Sequence, residues 1–125
     1  MKYIEEIIET RAPAHTVFKA WSENYLKRGY VKGKPGYIVD GKRRIKFEVL
    51  DVKKNESLTI VWHSLIAKLV FIHTVEQQKK GSTVSTKVQI KGIFAPLVRL
   101  IIRNKIRNYL KTSLSKFKSD LEMYV

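Results

Sequence analysis

Apolar and polar positions alternate over most of this chain, then switch to a helical period for its last third. Over residues 3–11 Ile4 and Ile8 mark one side of a strand, with Ile7 between them. After Ala12-Pro13, where a first helical turn tolerates a missing N–H, Val17, Phe18 and Trp21 fall at helical spacing. Tyr25 and Leu26 suit a second short helical turn, and the basic, glycine-bearing residues 28–34 read as a loop. Residues 36–39 form a short strand before Asp40-Gly41, a strong hairpin turn signal. The returning strand sets Ile45, Phe47 and Val49 against Lys46 and Glu48, the mark of one buried and one wet face. Further strands follow at 58–65, 68–76 and 83–91, separated by polar turns at 53–57 and 77–81. In the last of them Val84, Thr86, Val88 and Ile90 alternate with Ser85, Lys87, Gln89 and Lys91.

Gly92 then releases the chain into a helix over 94–124. Leu97, Ile101, Ile106, Leu110, Leu114, Phe117, Leu121 and Tyr124 give its apolar face. Arg99, Arg103, Lys105, Arg107, Lys111, Lys116 and Lys118 give the other. Such a helix spans on the order of 40 Å and needs a concave apolar partner. The order is strand, short helix, four or five antiparallel strands, long helix. It predicts one α+β domain over residues 1–125, a curved antiparallel sheet wrapped around the C-terminal helix.

Composition changes this picture in two ways. The chain has no cysteine, which excludes disulfides and thiolate metal sites. It carries 25 Lys plus Arg against 11 Asp plus Glu, a net charge of +14. That field favours anionic partners, RNA or acidic lipid, or else serves only as a solvated surface. The N-terminus lacks the apolar run of a signal peptide, and no stretch approaches the ~20 apolar residues of a membrane span, so a cytoplasmic location is expected.

Three stretches resemble the START-like, or SRPBCC, superfamily. Residues 12–21, Ala-Pro-Ala-His-Thr-Val-Phe-Lys-Ala-Trp, are similar to its motif after the first strand. Gly81-Ser82-Thr83-Val84 resembles the opening of its last strand, with one residue inserted. Residues 92–97 and 114–122 resemble the start and end of its terminal helix. The resemblance spans nearly the whole chain. It implies the helix-grip fold, with a hydrophobic pocket between sheet and helix that takes a lipid- or polyketide-like molecule. The stretch between the first helix and the first hairpin is shorter than in many relatives, which implies a modest cavity.

Inward strand positions and the helix supply the expected ligand-binding residues: Phe47, Ile60, Trp62, Phe71, His73, Thr86 and Val88, with Leu97, Ile101 and Tyr109. His73 shares a face with Leu69, Phe71 and Val75; it could orient a ligand or act as acid or base, or stand as a core histidine. Glu6 shares parity with Ile4 and Ile8 and is the second catalytic candidate, against a reading as an exposed edge carboxylate. His15, His63 and His73 have no metal-ligand spacing, so no metal or cofactor is expected. There is no P-loop, no glycine-rich nucleotide fingerprint and no Ser-His-Asp set. Binding is favoured over catalysis. A cyclase/dehydrase-like or hydrolase-like enzyme and an RNA-, ribosome- or anionic-lipid-associated protein remain the alternatives. A basic, partly apolar helix face would suit acidic lipid, except that its apolar residues are expected to be taken up by the sheet. Neither the ligand nor the oligomeric state follows from the sequence.

Overall fold

The alternating runs pair into one sheet, and the long periodic run lies across it. The computed structural model describes residues 3–22, 35–40, 43–63, 68–93 and 95–123. The elements are β1 (Tyr3–Thr10), α1 (Ala14–Trp21), β2 (Pro35–Asp40), β3 (Arg43–Lys53), β4 (Ser57–His63), β5 (Lys68–Gln78), β6 (Gly81–Lys91) and α2 (Ala95–Glu122). The turn expected at Tyr25 and Leu26, the loop over 28–34, Gly41, the end of the strand at 64–65, Phe94 and Tyr124 lie outside the described residues.

All neighbouring strands are antiparallel, in the order β1-β6-β5-β4-β3-β2. Successive strands make hairpins except at β1, which pairs with the last strand. Alternation carries through the registers as rows across the inner face. One row runs Val49, Ile60, Phe71, Val88, Ile4, and all five are buried. The next runs Leu58, His73, Thr86, Glu6, so it turns polar towards β1. In β3 the register slips between Val49 and Asp51. An extra residue there bends a strand and strengthens its twist, which helps curve the sheet around α2.

The 28 residues of α2 extend about 42 Å at 1.5 Å each. The helix packs on β1 and β6 and touches α1. Its buried line is Ala95, Val98, Ile106, Leu110, Leu114 and Leu121, with Ile102 and Phe117 partly covered. The expected line was correct from Ile106 to Leu121 but not before it: Leu97 and Ile101 are exposed, and Val98 and Ile102 take their place. The cause is rotational. Ile101 and Ile106 are five residues apart, about 500° at 100° per residue, so they cannot share a face. Two expected surface cations are partly covered. Arg107 lies 3.5 Å from Glu6, and Arg99 Nε is sealed from solvent. No helix among the described residues is long and apolar enough to cross a membrane.

A polar clasp joins the end of α2 to the end of β1. Thr10 Oγ1 donates to Glu122 Oε2 at 2.9 Å, the Arg11 amide donates to the same oxygen at 3.3 Å, and Arg11 Nε lies 3.4 Å from Oε1. The Thr10 hydrogen bond, ahead of the other contacts, holds the Glu122 carboxyl below its usual range. Alongside, Ser82 Oγ donates to the Ala12 carbonyl at 2.8 Å, and Gln77 Oε1 accepts from the Ala14 amide at 2.8 Å. That glutamine supplies the start of α1 with the acceptor Pro13 cannot, since the cap position makes no side-chain bond of its own.

Gly81 makes this approach possible. Its φ is +105°, and a Cβ would collide with the Thr10 carbonyl oxygen. Both the backbone angle and the contact demand glycine. Gly81→Ala is therefore expected to cost about 2 kcal/mol or more, read as a drop in denaturant midpoint with an unchanged slope. A variant as stable as the wild type would mean that β1 and the 77–82 region do not meet this closely.

Candidate functional site

Where α2 arches over β4, β5 and β6 the core leaves a cavity of about 180 Å³. Trp62, Phe71, His73 and Thr86 form its sheet side, while Tyr109, Leu110, Ser113, Leu114 and Phe117 form its helix side. Trp21, the last residue of α1, closes one end. The rings run as a chain around it. Phe117 stacks on Trp21 at 6.4 Å, Trp21 meets His73 at 5.6 Å, and His73 lies 6.3 Å from Phe71. Phe71 meets Trp62 at 4.4 Å, and Trp62 meets Tyr109 edge-on at 5.8 Å. Edge-to-face and offset contacts of this kind hold aromatic side chains in fixed orientations. The cavity is therefore shaped before anything enters it.

His73 and Thr86 are direct cross-strand partners, with Nδ1 and Oγ1 3.0 Å apart. Burial pushes the His73 pKa down to about 4. The imidazole is neutral at physiological pH and stands as a polar atom set in an aromatic wall. Trp62 Nε1 is buried with no hydrogen-bond partner among the described residues. An indole N–H in that state is a donor available to an acceptor.

Of the residues expected at the site, Trp62, Phe71, His73, Thr86 and Tyr109 line this cavity. Phe47, Ile60 and Val88 face inward but are spent in solid core beside it. Leu97 and Ile101 are not part of it, for the rotational reason given above. Glu6 also faces inward, correcting the edge-carboxylate reading: its side chain is 18% exposed and paired with Arg107, outside the cavity lining. His63 lies 3.6 Å from Glu48, away from the cavity. Strand parity identifies the inner face, but not which inner positions remain uncovered.

Five lining residues were not expected. Trp21, Leu110, Leu114 and Phe117 read from sequence as packing residues, and they are packed as well as lining. Ser113 carried the usable signal. It lies on the same helical face as Tyr109 and Phe117, four residues from each, and a small polar side chain there leaves unfilled space. Among the described residues no group of three or more His, Asp or Glu could hold a metal ion.

No family model matches this sequence, and no curated protein matches it either. Solved structures do. The Aha1 protein from Colwellia psychrerythraea, solved as a dimer, superposes with a TM-score of 0.74 at 12% identity, over 98% of this chain and 97% of that one. A Polyketide_cyc-like protein, Cgl2372, from Corynebacterium glutamicum gives 0.58 at 15% identity over 95% and 88%. DynU16, from the dynemicin biosynthetic locus, gives 0.63 at 14% identity over 90% of this chain; this chain spans 48% of its length. With the element order and the gripped helix, these likenesses decide the architecture. The fold is the START-like (SRPBCC) helix-grip fold.

In this helix-grip protein the neutral His73 makes stability depend on pH. Unfolded, its pKa returns to about 6.5; folded, it is about 4. Below pH 6.5 the unfolded chain binds a proton that the folded one refuses, so stability falls as pH drops from about 6.5 to about 4, by about 3 kcal/mol in all. Urea midpoints at pH 7 and pH 4.5 should show a larger loss for the wild type than for His73→Gln. Equal losses would mean that His73 is not held neutral.

Proposed function

We propose that the protein binds a small, uncharged, largely aromatic or short-chain molecule in the cavity between sheet and α2. The observation that carries this is the cavity itself: about 180 Å³, walled by a chain of rings, with a few polar groups among them. Ligand pockets share this make-up, an apolar lining with sparse polar groups that fix orientation. The volume limits the occupant. An apolar cavity of about 150 Å³ accepts benzene, and drug-sized ligands need about 300–1,000 Å³. A single ring or a short acyl chain suits the space, whereas a fused polyketide or a two-chain lipid does not. Trp62 Nε1 favours a ligand that carries a hydrogen-bond acceptor, as a phenol or small ketone does.

Binding is favoured over catalysis by the state of the two candidate groups. An imidazole with a pKa of about 4 is a weak base near neutrality and holds no proton to give as an acid. Glu6 is engaged by Arg107, away from the lining.

Both of the chain's two tryptophans line the cavity, so intrinsic fluorescence reports on its contents. Titration with phenol or p-cresol should change that fluorescence saturably. It should also raise the melting temperature by mass action, with about 2.7 kcal/mol of stabilisation at a hundredfold excess over Kd. Ser113→Phe places a ring in the space and should abolish both responses without unfolding the protein. Equal responses from wild type and Ser113→Phe would place the binding elsewhere.

A further inference from the structure

The first two turns of α2 are apolar on both sides. Ala95, Val98 and Ile106 face the sheet, whereas Leu97, Leu100 and Ile101 are 56%, 81% and 66% exposed. Nine residues at about 100° each set Leu97 half a turn from Ile106. Ile93, just before the helix, is 90% exposed. These four side chains lie within nine residues at one end of the molecule, while the rest of the same outer face, through Asn104, Asn108, Lys111 and Ser115, is polar. A helix apolar all round is ordinarily buried, and a grouped apolar patch of this kind marks an interaction surface rather than scattered exposure.

The surroundings decide what covers it. Lys68 and Lys91 are exposed and stand directly opposite one another on β5 and β6, and Lys91 is two residues from Ile93. Like charges in that cross-strand position destabilise the sheet, a cost that an anionic surface would offset. Exposed Arg103 and Lys105 follow the patch along α2. No Asp or Glu occurs between Glu76 and Asp120. A second copy of this chain is a poor occupant, because each copy carries a net +14 and brings its own lysine pair to the contact.

We propose that this end of the molecule docks on the surface of an anionic phospholipid bilayer. Ile93, Leu97, Leu100 and Ile101 enter the interfacial region, while Lys68, Lys91, Arg103 and Lys105 lie at the headgroups. Apolar burial and attraction to anionic lipid act together in such binding, and the protein lies on the membrane without spanning it. The proposal stands independently of what the cavity holds.

Flotation of the purified protein with vesicles tests it. Vesicles of phosphatidylcholine mixed with phosphatidylglycerol should bind the wild type about tenfold or more tightly than phosphatidylcholine alone. Added salt should weaken that binding. Leu100→Ser/Ile101→Ser, at exposed positions and with unchanged circular dichroism, should lose about tenfold or more. Lys68→Glu/Lys91→Glu should lose the preference for anionic vesicles. Equal binding by the wild type and the serine double variant would overturn the apolar docking surface, as would the absence of binding to anionic vesicles. A wild-type dimer in sedimentation equilibrium that the serine variant abolishes, without vesicle binding, would assign the patch to a second copy instead.

Discussion

The contact between α2 and the β1–β6 end of the sheet is the one on which the other features depend. The line from Ile106 to Leu121 is a long apolar stripe that covers the concave face, and β1 and β6 receive it. Where that stripe is continuous, the core is solid. Where Ser113 interrupts it, opposite the polar end of the row formed by His73 and Thr86, the helix bridges a gap rather than filling it. Core and cavity are thus two outcomes of one packing arrangement. A polar step on each side of the interface separates them.

That arrangement was partly visible in the residues. Thr83 to Lys91 alternates cleanly enough to set its faces, and the structure keeps them. The helical period identified α2 but not its rotation in the first two turns. The reason is that Leu97, Val98, Leu100, Ile101 and Ile102 are all apolar, so hydrophobicity cannot say which of them face inward. The cavity was harder to read for a related reason. Phe47 and Val88 have the same inward parity as Trp62 and Thr86, and only three-dimensional packing separates a side chain that is covered from one that lines a space. Trp21 is the clearest case: a core residue by every local signal, it also forms the end wall through its contacts with His73 and Phe117.

Charge and burial divide the labour in this molecule. Among the described residues no Lys or Arg lines the ring-walled cavity, and His73 there is kept neutral. Two partly covered arginines, Arg99 and Arg107, mark the boundary, and one of them is answered by Glu6. The net charge therefore acts at the periphery, where it sets long-range attraction.

The pairing of β1 with β6 governs the order in which this chain can assemble. Residues 11–80 separate the two strands. At about 5–20 residues per second during synthesis, β1 would wait roughly 4–14 s before its partner exists. Through that interval Ile4 and Ile8 have no sheet to join, while β3, β4 and β5 can already form local hairpins. Closure of the Thr10–Glu122 clasp comes later still, because its two halves are 112 residues apart. Contacts of such long range slow folding by the entropy of bringing distant segments together. The hairpin meander is thus the part able to form first, and the N-terminal strand, although made first, is among the last to be secured.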